Sequence, residues 1–403
     1  MSKELEELYN TWIYPDPVFD IKEKIDQGWF DFGDPSLFWN LYWPKKQQQP
    51  ISILIAGCGT HQAAYYAYKN TTCSVTGIDI SENSLKHHQY LKEKYSLSNL
   101  QLEKKSIIDL DESYVDQFDL IVSTGVLHHL EHPDLGLQKL KSCLKKDGKL
   151  NIMLYGKYPR VGVYMLQQAF KILKVGICNP DLSFVKNTLM KLPNWHFARE
   201  YFSKAGDLDN DAGLVDTFLN PIDQCYSVED IFSFIENSGL EFTEWNDRLH
   251  YSLDALIGGD TEFGVRADTL SNVEKYKLVE LITQQLATHR FIVSHPHNSN
   301  RVEISSENYH LVVPELRHGV VLENNSISRG YHRLTVTDSQ FRLLIMFSKK
   351  FSLFELSQES NIDFDNLTAF INQLADCGHV FLTEKSEPTI DSLVRAQSSC
   401  RAP

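Results

Sequence analysis

The chain has 403 residues, 42% of them hydrophobic and 11% aromatic, which is enough for two or three folded units with a large core. Its 39 Lys and Arg against 53 Asp and Glu leave a formal charge of -14, which argues against a general affinity for nucleic-acid phosphates. No apolar run is long enough to span a bilayer, the start "MSKELEELYNTW" is unlike a signal peptide, and seven scattered cysteines without a CxxC pair read as reduced thiols, so a cytoplasmic protein with no membrane and no nucleic-acid partner is expected.

Residues 1–49 hold Tyr9, Trp12, Tyr14, Trp29, Phe30, Phe32, Phe38, Trp39, Tyr42 and Trp43, a density that predicts an aromatic cover docked on a core surface. From Ile51 a regular alternation begins. "ISILIA" predicts a strand, "HQAAYYAYK" a helix, "SVTGIDI" a strand, and "SENSLKHHQYLKEKY" a helix capped by Ser81. "LQLEKKS" and "FDLIVSTG" predict two more strands. "DLGLQKLKSCLKKDG" predicts a helix ended by Gly148, and "KLNIMLY" a fifth strand. Strands alternating with helices imply an α/β fold with a doubly wound, Rossmann-like, mostly parallel sheet, placed over 50–260.

The stretch 156–225 breaks this rhythm and predicts a helical cap, because a long insertion after a strand end is usually functional. Its Tyr158, Tyr164, Phe170, Trp195, Phe197, Tyr201 and Phe202 suit either the wall of a dry pocket or the cap's own core. "SVEDIFSFIENSGLEFTEW" restores helix, Gly stop and strand. Residues 265–385 are expected to be a separate C-terminal α+β domain. Its last part, 335–384, has the three helices and final strand of a winged helix. That part carries three basic residues against seven acidic ones, the wrong balance for reading DNA, so it is expected to contact protein, as in a homodimer. The tail 386–403 is expected to be disordered.

"ILIAGCGTHQAA" places Gly57-Cys58-Gly59 between a strand and a helix, a turn that lets a ligand approach the backbone. A dinucleotide fold wants a third glycine where this chain has Gln62. Asp79, at the end of the second strand and 20 residues beyond Gly59, is placed to accept both hydroxyls of an adenosine ribose. Ser81 fills the helix cap better than Asp79, which leaves Asp79 for a ligand.

The ordered set "ILIAGCGTHQAA", "VTGIDISENSL", "FDLIVSTGVLHHLEHP", "LKSCLKKDGKLNIMLYGKY" and "YSVEDIFSFIENSGLEFTEW" resembles the class I S-adenosylmethionine (SAM)-dependent methyltransferases, over 50–160 and 222–256. The aromatic start and winged-helix-like end resemble bacterial members with appended C-terminal modules. The resemblance implies SAM as cofactor. It puts Gly57, Cys58 and Gly59 under the methionine part, Asp79 on the ribose, Ile80 beside the adenine, and Ser106 where relatives hold the adenine amino group. Thr124 and Gly125 then lie by the sulfonium. Relatives often carry an acid two residues before the first glycine, where this chain has Ile55, and a third glycine where it has His61. The methionine amino group is therefore expected to use Gln62, Thr60 or backbone carbonyls.

"HHLEH" (His128, His129, Glu131, His132) has helical spacing for two metal ligands, but no Cys or second carboxylate lies at zinc-site spacing, and no metal is expected. His129 is the candidate general base, with Tyr158 as a second catalytic candidate. His128, Tyr155 and Arg160 are candidates for holding the acceptor, Arg160 an acidic one. The expected activity is methyl transfer to an N or O acceptor on a small molecule or a protein or peptide side chain. An NAD-dependent oxidoreductase and a non-catalytic cofactor-binding adaptor remain the alternatives.

Overall fold

A computed structural model describes residues 3–202, 210–258, 261–298 and 301–385; the tail expected to be disordered lies outside these residues. The chain divides into two compact units. The first holds 1–36, 49–246 and 269–299, and the second holds 37–48, 247–268 and the chain from 300 onward.

The first unit is built on a seven-stranded sheet. In chain order its strands are β1 (Ser52–Ala56), β2 (Ser74–Asp79), β3 (Leu100–Lys104), β4 (Phe118–Thr124), β5 (Leu144–Tyr155), β6 (Glu241–Trp245) and β7 (Thr288–Ser294). They lie in the order β3-β2-β1-β4-β5-β7-β6. All pairs are parallel except those of β7, which runs against both β5 and β6. β1 sits in the middle, with Ile55 opposite Gly77 on one side and Val122 on the other, so Ile53 to Ala56 are wholly buried. This double burial explains the unbroken apolar run. Order and direction together make the doubly wound, mostly parallel Rossmann-like sheet expected from the sequence.

Two boundaries differ from the expectations. The helix expected to run to Gly148 ends at Cys143, and Leu144 already pairs with Phe118. The register slips between Phe118 and Leu120, so "LKKDG" is a strand entry with a bulge. Glycine suits position 148 because a Cβ would stand 2.9 Å from the Lys145 carbonyl oxygen. The expected domain border near 265 also fails, since residues 269–299 belong to the first unit. "THRFIVS" is β7, buried from Phe291 to Ser294 between β5 and β6, and only there are its backbone groups paired on both sides.

The segment 156–225 is helical: Val161–Ile172, Asn179–Lys191, Ala198–Phe202 and Asp211–Leu214, followed by one wide turn, Val215–Leu219. It has its own core of Val163, Leu166, Phe170, Val185, Leu189, Leu214 and Phe218.

In the second unit, the helices Asp338–Met346, Leu353–Ser360 and Phe364–Asp376 precede β12 (Val380–Glu384). Thr337, Ser352 and Asp363 cap them. β12 pairs antiparallel with β8 (Val312–Leu316). Between β8 and the helices, β9 (Val321–Glu323), β10 (Ser326–Arg329) and β11 (His332–Thr335) form an antiparallel meander. Among the described residues, no helix is long and apolar enough to cross a membrane.

Candidate active site

The turns that leave β1, β2 and β4 at their carboxyl ends surround a cavity of about 270 Å³, where open α/β sheets bind ligands. Gly57 and Gly59 take left-handed φ of +78° and +57°. A Cβ on Gly57 would meet Val126 Cγ2 at 2.3 Å, so only glycine lets the β1 and β4 turns approach each other. The amides of Gly57 and Cys58 donate to the Ile78 carbonyl (2.9 and 3.0 Å), which ties this turn to the end of β2.

Asp79 fastens the same junction. Its carboxylate accepts from the Gly59 amide (2.8 Å) and the Ser81 amide (2.8 Å) while lining the cavity. Burial pushes its pKa up to about 6, against the pull of those backbone donors. Ser81 is the helix cap, its hydroxyl accepting from the Ser84 amide. Ser106 caps a short turn, accepting from the Ile108 amide, and lines the cavity with Ile80, Cys58, Thr124 and Gly125. Gln62 reaches across, its Nε2 donating to Thr124 Oγ1 (3.3 Å) and Asp31 Oδ2 (2.8 Å).

Thr60 departs from its expected role. It is buried, with its hydroxyl at the Asp16 carbonyl (3.3 Å) and His61 Nδ1 (2.9 Å), and does not line the cavity. The N-terminal cover supplies walls that sequence reading did not assign: Tyr9, Tyr14, Pro15, Trp29 and Asp31. Only the aromatic density of 1–49 hinted at them.

His129 lines the cavity and His128 does not. His129 Nδ1 lies 2.8 Å from the Ile222 carbonyl, which can only accept, so Nδ1 carries a proton and any lone pair of the ring is on Nε2. That nitrogen stands 3.8 Å from Asp216 Oδ1. Asp216, from the wide turn of the cap, is buried and accepts from Tyr9 OH (2.8 Å) and Tyr155 OH (3.2 Å). Burial, and next the Asp216 charge, hold both phenols well above the ordinary tyrosine range, so both stay protonated and donate. Sequence reading missed Asp216 because nothing local marks it.

His128 is wholly buried against the Tyr155 ring (centroids 4.0 Å apart), and burial keeps it neutral far below the ordinary histidine pKa. Asp223 brings a carboxylate to His128 and His129, all three within 4.8 Å. The same carboxylate accepts from Arg160 (3.2 Å) and Gln167 (2.9 Å), and the adjacent guanidinium opposes a second positive charge.

A second cavity of about 340 Å³ adjoins the first, and Tyr14, Met153 and Tyr155 line both. Its other walls include Tyr158, Arg160, Phe197, Glu200, Tyr201, Gln285 and Thr288. Arg160 is 1% exposed and satisfied internally, by Asp223, by Tyr201 OH (2.6 Å), by Tyr164 OH (3.1 Å) and by the Tyr155 ring (3.7 Å). Its charge is thus already balanced, and the expectation that it holds an acidic acceptor is withdrawn. Tyr158 lines this second cavity and is 37% exposed. Of the cap aromatics, Phe170 and Phe202 pack in the cap core, Trp195 is exposed, and Phe197 and Tyr201 face the second cavity.

Residues 49–174 match the family model described as a methyltransferase domain. This region has the Rossmann-like fold of a methyltransferase domain. It carries the glycine turn, Asp79, Ser106, Thr124 and Gly125 within the matched span. The chain is 30% identical over 248 residues to an uncharacterized protein of Synechococcus sp., covering 60% of this chain and 59% of that one. It is 27% identical over 222 residues to the tRNA U34 carboxymethyltransferase of Campylobacter concisus, covering 51% of this chain and 71% of that one. Human EEF1A lysine methyltransferase 2 is 24% identical over 136 residues, 33% of this chain and 57% of that one. The solved structure of PKMT2 from Rickettsia typhi shares the fold with a TM-score of 0.62 at 15% identity, covering 89% of this chain and 76% of that one. The same Rickettsia protein is also known in complex with AdoHcy.

The cavity of the methyltransferase domain fits SAM. A buried carboxylate stands at the end of β2, where ribose hydroxyls can donate to it, and a second carboxylate, Asp31, lies across the glycine turn. The match to a methyltransferase domain, with Gln62 in place of a third glycine, sets the NAD-dependent alternative aside.

Proposed function

We propose that the chain moves a methyl group from SAM, bound in the first cavity, to a nitrogen or oxygen acceptor held in the second. The observation that carries this reading is the shared wall: Tyr14, Met153 and Tyr155 line both cavities. When bound, SAM supplies a sulfonium methyl already activated for in-line displacement. The protein's work is then alignment and exclusion of water. Asp79 holds the ribose, the glycine turn passes under the methionine part, and Thr124 and Gly125 line the same cavity by the sulfonium.

A proton leaving the acceptor finds two receivers near the shared wall, the His129 Nε2 lone pair and the Asp216 carboxylate behind Tyr155. Asp216 is itself fixed by two phenols, so it is a positioned acceptor for a proton relayed through Tyr155.

The walls of the second cavity favour an amine. Tyr14 and Tyr158 bring aromatic rings to its lining, Glu200 brings a carboxylate, and Arg160 brings no unbalanced positive charge. Relatives named for lysine methylation agree with a protein amine. A tRNA acceptor is the second reading, favoured by the relative named as a tRNA U34 carboxymethyltransferase and opposed by the charge of -14.

The test is transfer of a labelled methyl group from SAM to small amines, a protein extract and bulk tRNA, read by mass spectrometry. Label in lysine-containing peptides supports the amine reading, and label in tRNA replaces it. Tight SAM binding with no transfer to any acceptor favours the adaptor alternative.

A further inference from the structure

A methionine end carries an ammonium as well as a carboxylate, and the first cavity must meet that positive charge. The position two residues before Gly57, where relatives often carry an acid, is Ile55, fully buried between Gly77 and Val122. Among the described residues, the two carboxylates that line the cavity are Asp79 and Asp31. Asp79 stands at the end of β2, on the ribose side in the SAM reading.

Asp31 comes from the N-terminal cover. Its Oδ1 accepts from the Gly33 amide (2.7 Å) and Tyr66 OH (3.0 Å), and its Oδ2 from Gln62 Nε2 (2.8 Å). Gln62 in turn touches Thr124 Oγ1, placing Oδ2 on the β4 side of the glycine turn. All three donors are neutral. Among the described residues no Lys, Arg or His is paired with Asp31, so a half-buried carboxylate lines the cavity with only fixed dipoles holding it in place. Neighbouring Asp34 makes the contrast. It is wholly buried, takes hydrogen bonds from Tyr65, Asn70 and Ser36, and lines no part of the cavity. Asp34 holds the cover down, whereas Asp31 is presented to a ligand.

We propose that Asp31, oriented by Gln62, receives the α-ammonium group of the methionine end. The inference rests on the SAM reading above. It assigns the cover a part in cofactor recognition, and it explains why Gln62 stands where a dinucleotide turn would carry glycine: its amide aims the carboxylate.

Calorimetric titration of the full chain with three ligands tests it. S-Adenosylhomocysteine carries the ammonium, its deaminated analogue lacks only that group, and 5′-methylthioadenosine lacks the whole amino-acid end. The wild type should prefer S-adenosylhomocysteine to the deaminated analogue by about tenfold to a hundredfold. Asp31→Asn should erase that preference and leave methylthioadenosine affinity within about twofold of wild type. Equal binding of the first two ligands by the wild type overturns the proposal without any variant. An Asp31→Asn protein that keeps the preference, or that loses affinity for methylthioadenosine equally, also overturns it. A wild type that binds none of the three overturns the SAM reading, and this inference with it.

Discussion

The cofactor cavity takes most of its walls from three short junctions, 57–62, 79–84 and 124–130, while its neighbour is assembled from residue 14, the end of β5, two cap helices and the stretch 284–288. In the first, conformation is set within a few residues: left-handed glycines, a capping serine, and a carboxylate closing the turn. In the second, no two neighbouring elements make a wall alone, and the charge that matters, Arg160, is balanced by a residue 63 positions away. The contrast teaches that the turn geometry of the first cavity is set locally, whereas the walls of the second come together only when the whole first unit is folded.

The largest expected effect comes from removing β7. A chain ending near residue 260 keeps every junction of the cofactor cavity but exposes the pairing edges of both β5 and β6. We expect it to lose cooperative unfolding and SAM binding together, measured by circular dichroism and calorimetry. A folded, SAM-binding fragment would break the claim that the local site needs its distant strand.

Next in size is Arg160→Met, which leaves Asp223 buried without its cation and should destabilise the protein by about 3–5 kcal/mol in denaturant titration. Adding Asp223→Leu should recover much of that loss. SAM affinity of the folded variant should stay near wild type, since Arg160 does not line the first cavity.

Asp79→Ala should weaken SAM by about 1.5–3 kcal/mol, or roughly tenfold to a hundredfold, because two hydroxyls lose their acceptor. The wild type should also show a pH signature. Burial raises the Asp79 pKa to about 6, so its ionised form is lost as pH falls through 6, and SAM affinity should drop about tenfold between pH 7 and pH 5. Stability runs the other way. The native carboxyl binds its proton more tightly than an unfolded one near 3.9, so the Asp79 contribution is greatest below about pH 4 and is lost as pH rises to about 6. Asp79→Asn should flatten the dependence of binding on pH.

The smallest effect is expected at the second cavity. Tyr158→Phe should lower turnover a few-fold while leaving SAM affinity within about twofold, since the residue lines only the acceptor side. Equal turnover would remove that cavity from the acceptor path.

The amino-acid sequence by itself determined the strands β1 to β5, the glycine turn, the cap at Ser81 and the place of Asp79. Each of these is written in apolar periodicity or in a backbone requirement spanning a few residues. Tertiary structure decided the rest. "RFIVSHP" reads equally well as a strand of a later domain, and only its two antiparallel partners place it in the main sheet. Thr60 stands beside the glycines yet turns toward Asp16, while Asp31 and Asp216, far off in sequence, face the ligand cavity and the shared wall. Arg160 looked free to hold an acid until Asp223 was found beside it. The physical reason is that backbone conformation answers to near neighbours. Burial, charge balance and the direction a side chain faces answer to groups that only folding brings within hydrogen-bonding distance.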